Sequence, residues 1–309
     1  MAGDFCAIVL GCSGGPRENN LSGYLLYPCQ DPNQLLALDA GTLLGGMDVA
    51  HARHHLKDFD LTHKELTTVG EVLLHKLKAY VISHAHLDHI CGLVSASAVD
   101  MRKSIVATDA TIENLKDHIF NWVIWPNFVN EGRTPYLSHY HYVHVPLEKK
   151  TAIPHTDFSV EAFLLSHPHE YPSTAFFLEY HSSVMLYVGD TSPDSFEDSK
   201  HLSQVWKHAA SILQEGRLKG MFLECSVPNE EADKIRHGHL SPKTMIQELA
   251  ALQQQAGVSL KGLKVVVTHR KENFSSHSDN FDLIEKQLTE LNHLEIKFIF
   301  PSQGDRIVF

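Results

Sequence analysis

The sequence predicts an α/β sandwich, and three observations carry that prediction. Short apolar runs of strand length recur along the chain, and each closes on an acid or a histidine. Segments with helical spacing fall between several of these runs. No internal repeat or low-complexity linker divides the 309 residues, which are enough to bury a large core.

Taken in order, Gln34 to Leu38 runs into Asp39, Ala79 to Ser83 into His84, and Phe158 to Ser166 into His167. Val184 to Val188 then runs into Gly189-Asp190, Met221 to Leu223 into Glu224, and Val265 to Thr268 into His269. A short helix is expected over Ser95–Val99, well after the histidines at 84–89, and another over Thr111–Phe120 with Thr108 or Asp109 near its cap. Ser241-Pro242 opens a third, serine as cap and proline in the first turn, with Met245, Leu249 and Leu252 on one face and a stop near Gly257. Phe281–Leu291 reads as the last helix, before a strand over Glu295–Phe300. In open α/β sheets ligands gather at strand ends, so six polar residues at six strand ends read as one shared site.

Composition narrows the function. Lys and Arg total 26 against 37 Asp and Glu, a net charge of -11, which disfavours the positive surface that nucleic-acid binding needs. No run is long enough to span a membrane. Phe5–Leu10 has no basic residue before it and does not read as a signal peptide. Five cysteines, an odd number without a CxxC pair, argue against a disulfide framework and a cysteine zinc site. A reduced, cytoplasmic compartment is expected. Histidine is the unusual residue: 23 raise the expectation of a metal site, although one site uses only a handful.

The strongest signal is His84-Ala-His86-Leu-Asp88-His89, four ligand-type side chains in six residues directly after a strand. Imidazole and carboxylate suit zinc and its first-row neighbours. Four donors so close fit two adjacent ions better than one, His84 and His86 on the first, Asp88 and His89 on the second.

This cluster resembles the HxHxDH signature of the metallo-β-lactamase superfamily. The longer stretch Ser83–Ser97 resembles the signature of class II cyclic-nucleotide phosphodiesterases, with Leu87 before the aspartate and Ser95 after the apolar pair. Further segments resemble that family's blocks in the right order: Leu165-Ser-His167 with Ser173–Phe177, Gly189-Asp190 with Pro193-Asp194, Glu224–Asn229, Gly238–Pro242, and Val267-Thr-His269. The resemblance implies a metallo-β-lactamase-type αββα sandwich. It implies one metal held by His84, His86 and His167, a second by Asp88, His89 and His269, and Asp190 bridging both. A hydroxide shared by the ions would be the nucleophile, Asp88 would be ligand and catalytic residue together, and Asp39 would orient a ligand from behind. Zinc is the default ion, and manganese and iron suit the same ligands. A homodimer is also implied. We expect a single metallo-hydrolase domain over 1–309, with a lid or cap insertion around 111–146.

Several residues keep two readings at this stage. In Ser166-His-Pro-His-Glu170 either His167 or His169 could be the third histidine ligand. His239, just before a helix, is a candidate general acid or phosphate contact, against a packing histidine, and His237 is its weaker rival. Gly11-Cys-Ser-Gly-Gly15 could bring N–H groups to a phosphate, but lacks the Walker lysine and reads rather as a tight turn. The histidines at 51, 54, 55, 63 and 75, and those at 139, 141 and 144, read as surface or cap residues. Trp122–Tyr142 reads as a wall for a planar base, a dimer contact, or an ordinary packed insertion. Cys225 reads as packing.

The leading expectation is metal-dependent hydrolysis of 3′,5′-cyclic nucleotides, cyclic AMP with cyclic GMP as the open alternative, to 5′-nucleotides. A tRNA 3′-processing endonuclease would share the ligands, but the acidic chain has no basic arm. A lactonase or thioesterase shares them without needing the Gly238-His239 block, and a nucleotide-binding protein without catalysis ranks last.

Overall fold

The computed structural model describes residues 4–168, 171–232, 238–276 and 279–309. His169 and His237 lie outside the described residues. The strands are β1 (Phe5–Gly11), β2 (Gly23–Pro28), β3 (Leu35–Ala40), β4 (Leu77–Val81), β5 (Lys103–Ala107), β6 (Tyr140–His144), β7 (Thr151–Ala152), β8 (Phe158–His167), β9 (Tyr171–Tyr180), β10 (Ser183–Val188), β11 (Leu218–Glu224), β12 (Lys264–Thr268), β13 (Lys297–Ile299) and β14 (Arg306–Val308). The helices are α1 (Leu44–Ala52), α2 (Thr68–Glu71), α3 (Leu87–Ala96), α4 (Asp109–Asn114), α5 (Asp194–Glu197), α6 (His201–Gln214), α7 (Asn229–Ala232), α8 (Pro242–Ala256) and α9 (Asn280–Leu291).

The chain forms two compact units. The first comprises Met1–Cys12, Arg17–Glu161 and Ser302–Phe309, the second Ser13–Pro16 and Ala162–Pro301. Among the described residues one sheet has the order β14-β1-β2-β3-β4-β5-β6 and the other β13-β12-β11-β10-β9-β8-β7. Each sheet is mixed. β1 pairs antiparallel with β14 and β2, and β2 with β3, whereas β3, β4, β5 and β6 run parallel. In the other sheet β10, β11, β12 and β13 are parallel and β9 is antiparallel to β10. Parallel neighbours need a crossover, and helices supply it: α3 between β4 and β5, α6 between β10 and β11, α8 between β11 and β12, α9 between β12 and β13.

Strands β1, β2, β3, β5 and β10 are buried at every residue. That explains why their sequences show no in–out alternation, since strands covered on both faces read as continuous apolar runs. In the first unit Ile8, Leu25, Leu35 and Ile82 pack with Met47 of α1 and Ile90 and Leu93 of α3. In the second, Leu186, Met221 and Val265 pack with Trp206 of α6, Leu249 of α8 and Ile284 of α9. Each such side chain contributes roughly 1.5–3 kcal/mol through removal from water.

Two helices sit where their sequence signals put them. Ser241 caps α8 through a capping box with Thr244, and Gly257 ends it in the left-handed conformation at φ +62°. Asp279 caps α9 by accepting from the Phe281 N–H. The helix expected over 95–99 is a correction. It starts at Leu87, inside the histidine cluster, because His89, Ile90, Leu93 and Ala96 form its buried face at helical spacing. The α6 helix has no expectation behind it, although its apolar stripe is clear once Leu202, Val205, Trp206 and Ala209 are seen buried together. The cysteine expectation also needs correction. Antiparallel pairing sets Phe5 against Pro28, which brings Cys6 and Cys29 to a Cα separation of 5.1 Å in a disulfide, while Cys12, Cys91 and Cys225 stay free.

Candidate metal centre

Most of the candidate residues occupy carboxyl ends of parallel strands and the loops that follow, whereas His167 ends β8, which pairs antiparallel with β7. In the first unit Asp39 lies near the end of β3, and Ser83 and His84 follow β4. His86 is the N-cap of α3, which carries Asp88 and His89 in its first turn. Asp39 is fully buried and accepts three hydrogen bonds, from the Ser83 N–H at 2.7 Å, the Ser83 hydroxyl at 2.7 Å and His89 Nδ1 at 2.7 Å. Ser83 Oγ also meets His84 Nδ1 at 3.0 Å. The carboxylate thus accepts a hydrogen bond from His89 Nδ1–H directly and positions His84 through Ser83. Both rings present Nε2 on their other side, and His89 Nε2 lies 3.8 Å from Asp88 Oδ2 while His84 Nε2 lies 3.0 Å from His86 Nδ1. Asp39 is held at φ +50°, a conformation that L-residues adopt sparingly. Gly41 allows the approach of α3, since a Cβ there would fall 1.9 Å from the Asp88 carbonyl oxygen.

The second unit builds a matching set. His167 ends β8, Asp190 follows β10, Glu224 ends β11 and His269 follows β12. Asp190 Oδ2 lies 3.0 Å from His269 Nε2 and 3.7 Å from His167 Nε2. His167 Nδ1 donates to the Gly238 carbonyl at 3.0 Å, and His269 Nδ1 meets Ser226 Oγ at 2.8 Å. A histidine whose Nδ1–H is spent on a carbonyl has its lone pair at Nε2, the tautomer a metal requires. His269 is at φ +58°, and Gly14 makes room for its ring, because a Cβ at Gly14 would lie 2.3 Å from it. That close approach is the use of the glycine-rich turn.

Glu224, which the sequence placed at a strand end of the shared site without a particular function, organises the rest. Its Oε1 accepts from the Thr191 N–H at 3.0 Å and from His239 Nδ1 at 2.8 Å, and its Oε2 from the Ser226 hydroxyl at 2.7 Å. Burial, followed by the nearby Asp190 charge, pushes this carboxyl up to about 7. The ligand atoms of Glu224, His239 and His269 lie within 4.8 Å of one another. His239 is in ring contact with both His167 and His269, each with centroids 5.0 Å apart. The signal for Glu224 was its place at the end of a buried strand; its pairing with Thr191 and His239, 33 and 15 residues away, is set by the fold.

The donor sets fit divalent transition ions: His84, His89, His167 and His269 have Nδ1 engaged and Nε2 presented, beside carboxylates, and all but His86 and Asp88 are almost wholly buried. The remaining histidine clusters behave otherwise. His51, His54, His141 and His144 are exposed, and His63 stacks on His75 at 4.0 Å. In the 122–142 stretch Phe128, Val129, Tyr140 and Tyr142 are core, while Val123 and Ile124 are exposed. Cys225 is buried in the second core.

The class that this fold defines is the metallo-β-lactamase fold. The crystal structure of the metallo-β-lactamase fold protein YhfI from Bacillus subtilis matches with a TM-score of 0.60 at 20% identity, over 98% of this chain and 99% of that one. The crystal structure of unliganded yeast PDE1 matches with a TM-score of 0.85 at 23% identity, over 100% of both chains. In sequence, a 3′,5′-cyclic-nucleotide phosphodiesterase of Aliivibrio fischeri is 38% identical over 312 residues, covering 100% of this chain and 94% of that protein. Residues 5–304 match the class-II cAMP phosphodiesterases, and the chain belongs to that family.

Proposed function

We propose that the protein hydrolyses 3′,5′-cyclic nucleotides, cyclic AMP first, to 5′-nucleotides. His84, His86 and His167 would hold one divalent ion and Asp88, His89 and His269 a second, with Asp190 shared between them and zinc as the ion. The observation that carries this reading is a family match running from residue 5 to 304 in a chain with two buried histidine–carboxylate donor sets. Bound divalent ions supply a water acidic enough to ionise near neutral pH and neutralise charge developing on the phosphoryl oxygens. The chain's residues do the rest. Asp39 and Ser83 fix the His84 and His89 rings, and Gly238 and Ser226 fix His167 and His269. Glu224 anchors His239 through Nδ1, and Lys271 Nζ lies 3.0 Å from its Nε2; in its Nε2-protonated form His239 would hand that proton to the 3′-oxygen as the phosphorus–oxygen bond breaks. Water oxygen remains on phosphorus and a proton ends on O3′, so the product is a 5′-monophosphate.

The test is turnover of cyclic AMP by zinc- or manganese-loaded protein, with Asp88→Ala alongside and bound metal counted for both. Release of 5′-AMP by wild type alone supports reaction and site together. Two bound metals with no release from either protein would move the reading to another ester.

The reading takes 1–309 as one catalytic domain with 111–146 as its cap, acting as a homodimer on a small-molecule substrate without nucleic acid; light scattering checks the dimer. No helix among the described residues is long and apolar enough to cross a membrane. The cytoplasmic location belongs to this reading on condition that Cys6 and Cys29 are thiols in the cell. A thiol count on denatured protein decides, three free cysteines with the disulfide intact against all five of the sequence without it.

A further inference from the structure

Three consecutive side chains leave β12 with three different fates. His269 turns to Ser226 and Asp190. Arg270, only 5% exposed, turns the other way: its Nη2 donates to the Pro301 carbonyl at 2.8 Å and its guanidinium covers the Phe281 ring at 4.4 Å. Lys271 is the third. Its backbone N–H donates to the Ser226 carbonyl at 3.0 Å, and its Nζ donates to His239 Nε2 at 3.0 Å.

The charge of Lys271 is placed unusually. Among the described residues no carboxylate pairs with its ammonium, and His239 Nε2 is its side-chain partner. A half-buried ammonium facing a neutral nitrogen gains little to offset its lost hydration. It has three N–H donors, of which His239 takes one. Two remain beside a histidine that is itself in ring contact with His167 and His269. A cation with spare donors at that position suits an anionic oxygen, and both the substrate diester and the product monoester bring one.

We propose that Lys271 contacts a non-bridging phosphate oxygen of the nucleotide, on the same side as His239. This deepens the phosphodiesterase reading and rests on it. Lysine here acts as a point charge, drawing the phosphate toward His239 while Arg270 is engaged by Pro301 and Phe281. The alternative is that Lys271 acts solely through His239, as a positioning residue.

The experiment separates these readings. 5′-AMP and adenosine are titrated calorimetrically into metal-loaded wild type, Lys271→Met, Lys271→Gln and Lys271→Arg. Losing a charged hydrogen bond should weaken 5′-AMP binding about 10- to 100-fold in the Met and Gln variants, leave adenosine binding unchanged, and leave the Arg variant within a few-fold of wild type. Unchanged 5′-AMP affinity, or an equal loss for adenosine, overturns the proposal. Turnover of cyclic AMP is measured in a cycle with His239→Ala. A further loss of kcat/KM on adding Lys271→Met to that variant supports direct contact; no further loss means that Lys271 acts only through His239 and overturns it. A wild type that turns over no cyclic nucleotide overturns the phosphodiesterase reading instead, and the 5′-AMP titration still decides whether Lys271 holds a phosphate.

Discussion

Replacing Asp39 by asparagine tests how far one buried carboxylate controls the first donor set. The substitution keeps shape and, because asparagine tolerates a left-handed backbone well, it keeps the φ of +50° without added strain. Alanine would confound the result, since it adds about 1–2 kcal/mol of backbone strain there. What asparagine removes is the charge and half the accepting capacity, where three donors converge at 2.7 Å. One of its two side-chain positions becomes a donor facing donors. A charge-assisted bond is worth about 1.5–3 kcal/mol, and conformational stability should fall by about that amount. Freed from Asp39, the His89 ring can adopt either tautomer and Ser83 no longer holds His84. Loss of such a supporting partner lowers metal affinity about 10–100-fold, or roughly 1.4–2.8 kcal/mol. The assay is zinc competition against a chromophoric chelator, with urea unfolding of the metal-free protein beside it. Wild-type affinity in Asp39→Asn would refute the argument that the carboxylate orients the ligands; lost stability with unchanged affinity would restrict it to a folding role.

Other outcomes follow from the same contacts. His239→Ala should lower kcat on cyclic AMP about 10²–10⁴-fold, with a much smaller loss on bis(p-nitrophenyl) phosphate, whose leaving group needs no proton; equal losses on both would remove the general-acid role. Reducing the Cys6–Cys29 bond, which closes a separation of 23 residues, should cost about 3 kcal/mol of stability in urea titrations with and without reductant. His144 has its pKa raised: burial works against its charged form, but hydrogen bonds to Glu131 and Asp109 outweigh it. Its contribution to stability is therefore full below the ordinary histidine value of about 6.5 and is lost as pH rises through the folded pKa. His144→Gln should flatten that part of the melting-temperature profile, and an NMR titration giving His144 an ordinary or lowered pKa would contradict the assignment.

Much of this was legible in the sequence because strand and ligand signals are local. The His84–His89 cluster, the runs ending at Asp39, His167, Asp190, Glu224 and His269, and the Ser241 cap all lie within a few residues of the feature they define. The start of α3 was misplaced because Asp88 and His89 are polar residues in a helical first turn, where periodicity alone has too few apolar positions to register. The Cys6–Cys29 bond was missed because an odd count of cysteines says nothing about which two a hairpin will bring together.

The sequence alone determined the family and the fold class and named the candidate donors, since each is written in contiguous motifs whose spacing follows from strand and turn geometry. Only the tertiary structure decided how those donors are held: Asp39 on His89 and Ser83, Gly238 behind His167, Glu224 on His239, and Lys271 on the far nitrogen of that same ring. These partners are separated by 15 to 71 residues. Hydrogen bonding acts over about 3 Å in space, and only the folded chain sets which distant residues come that close.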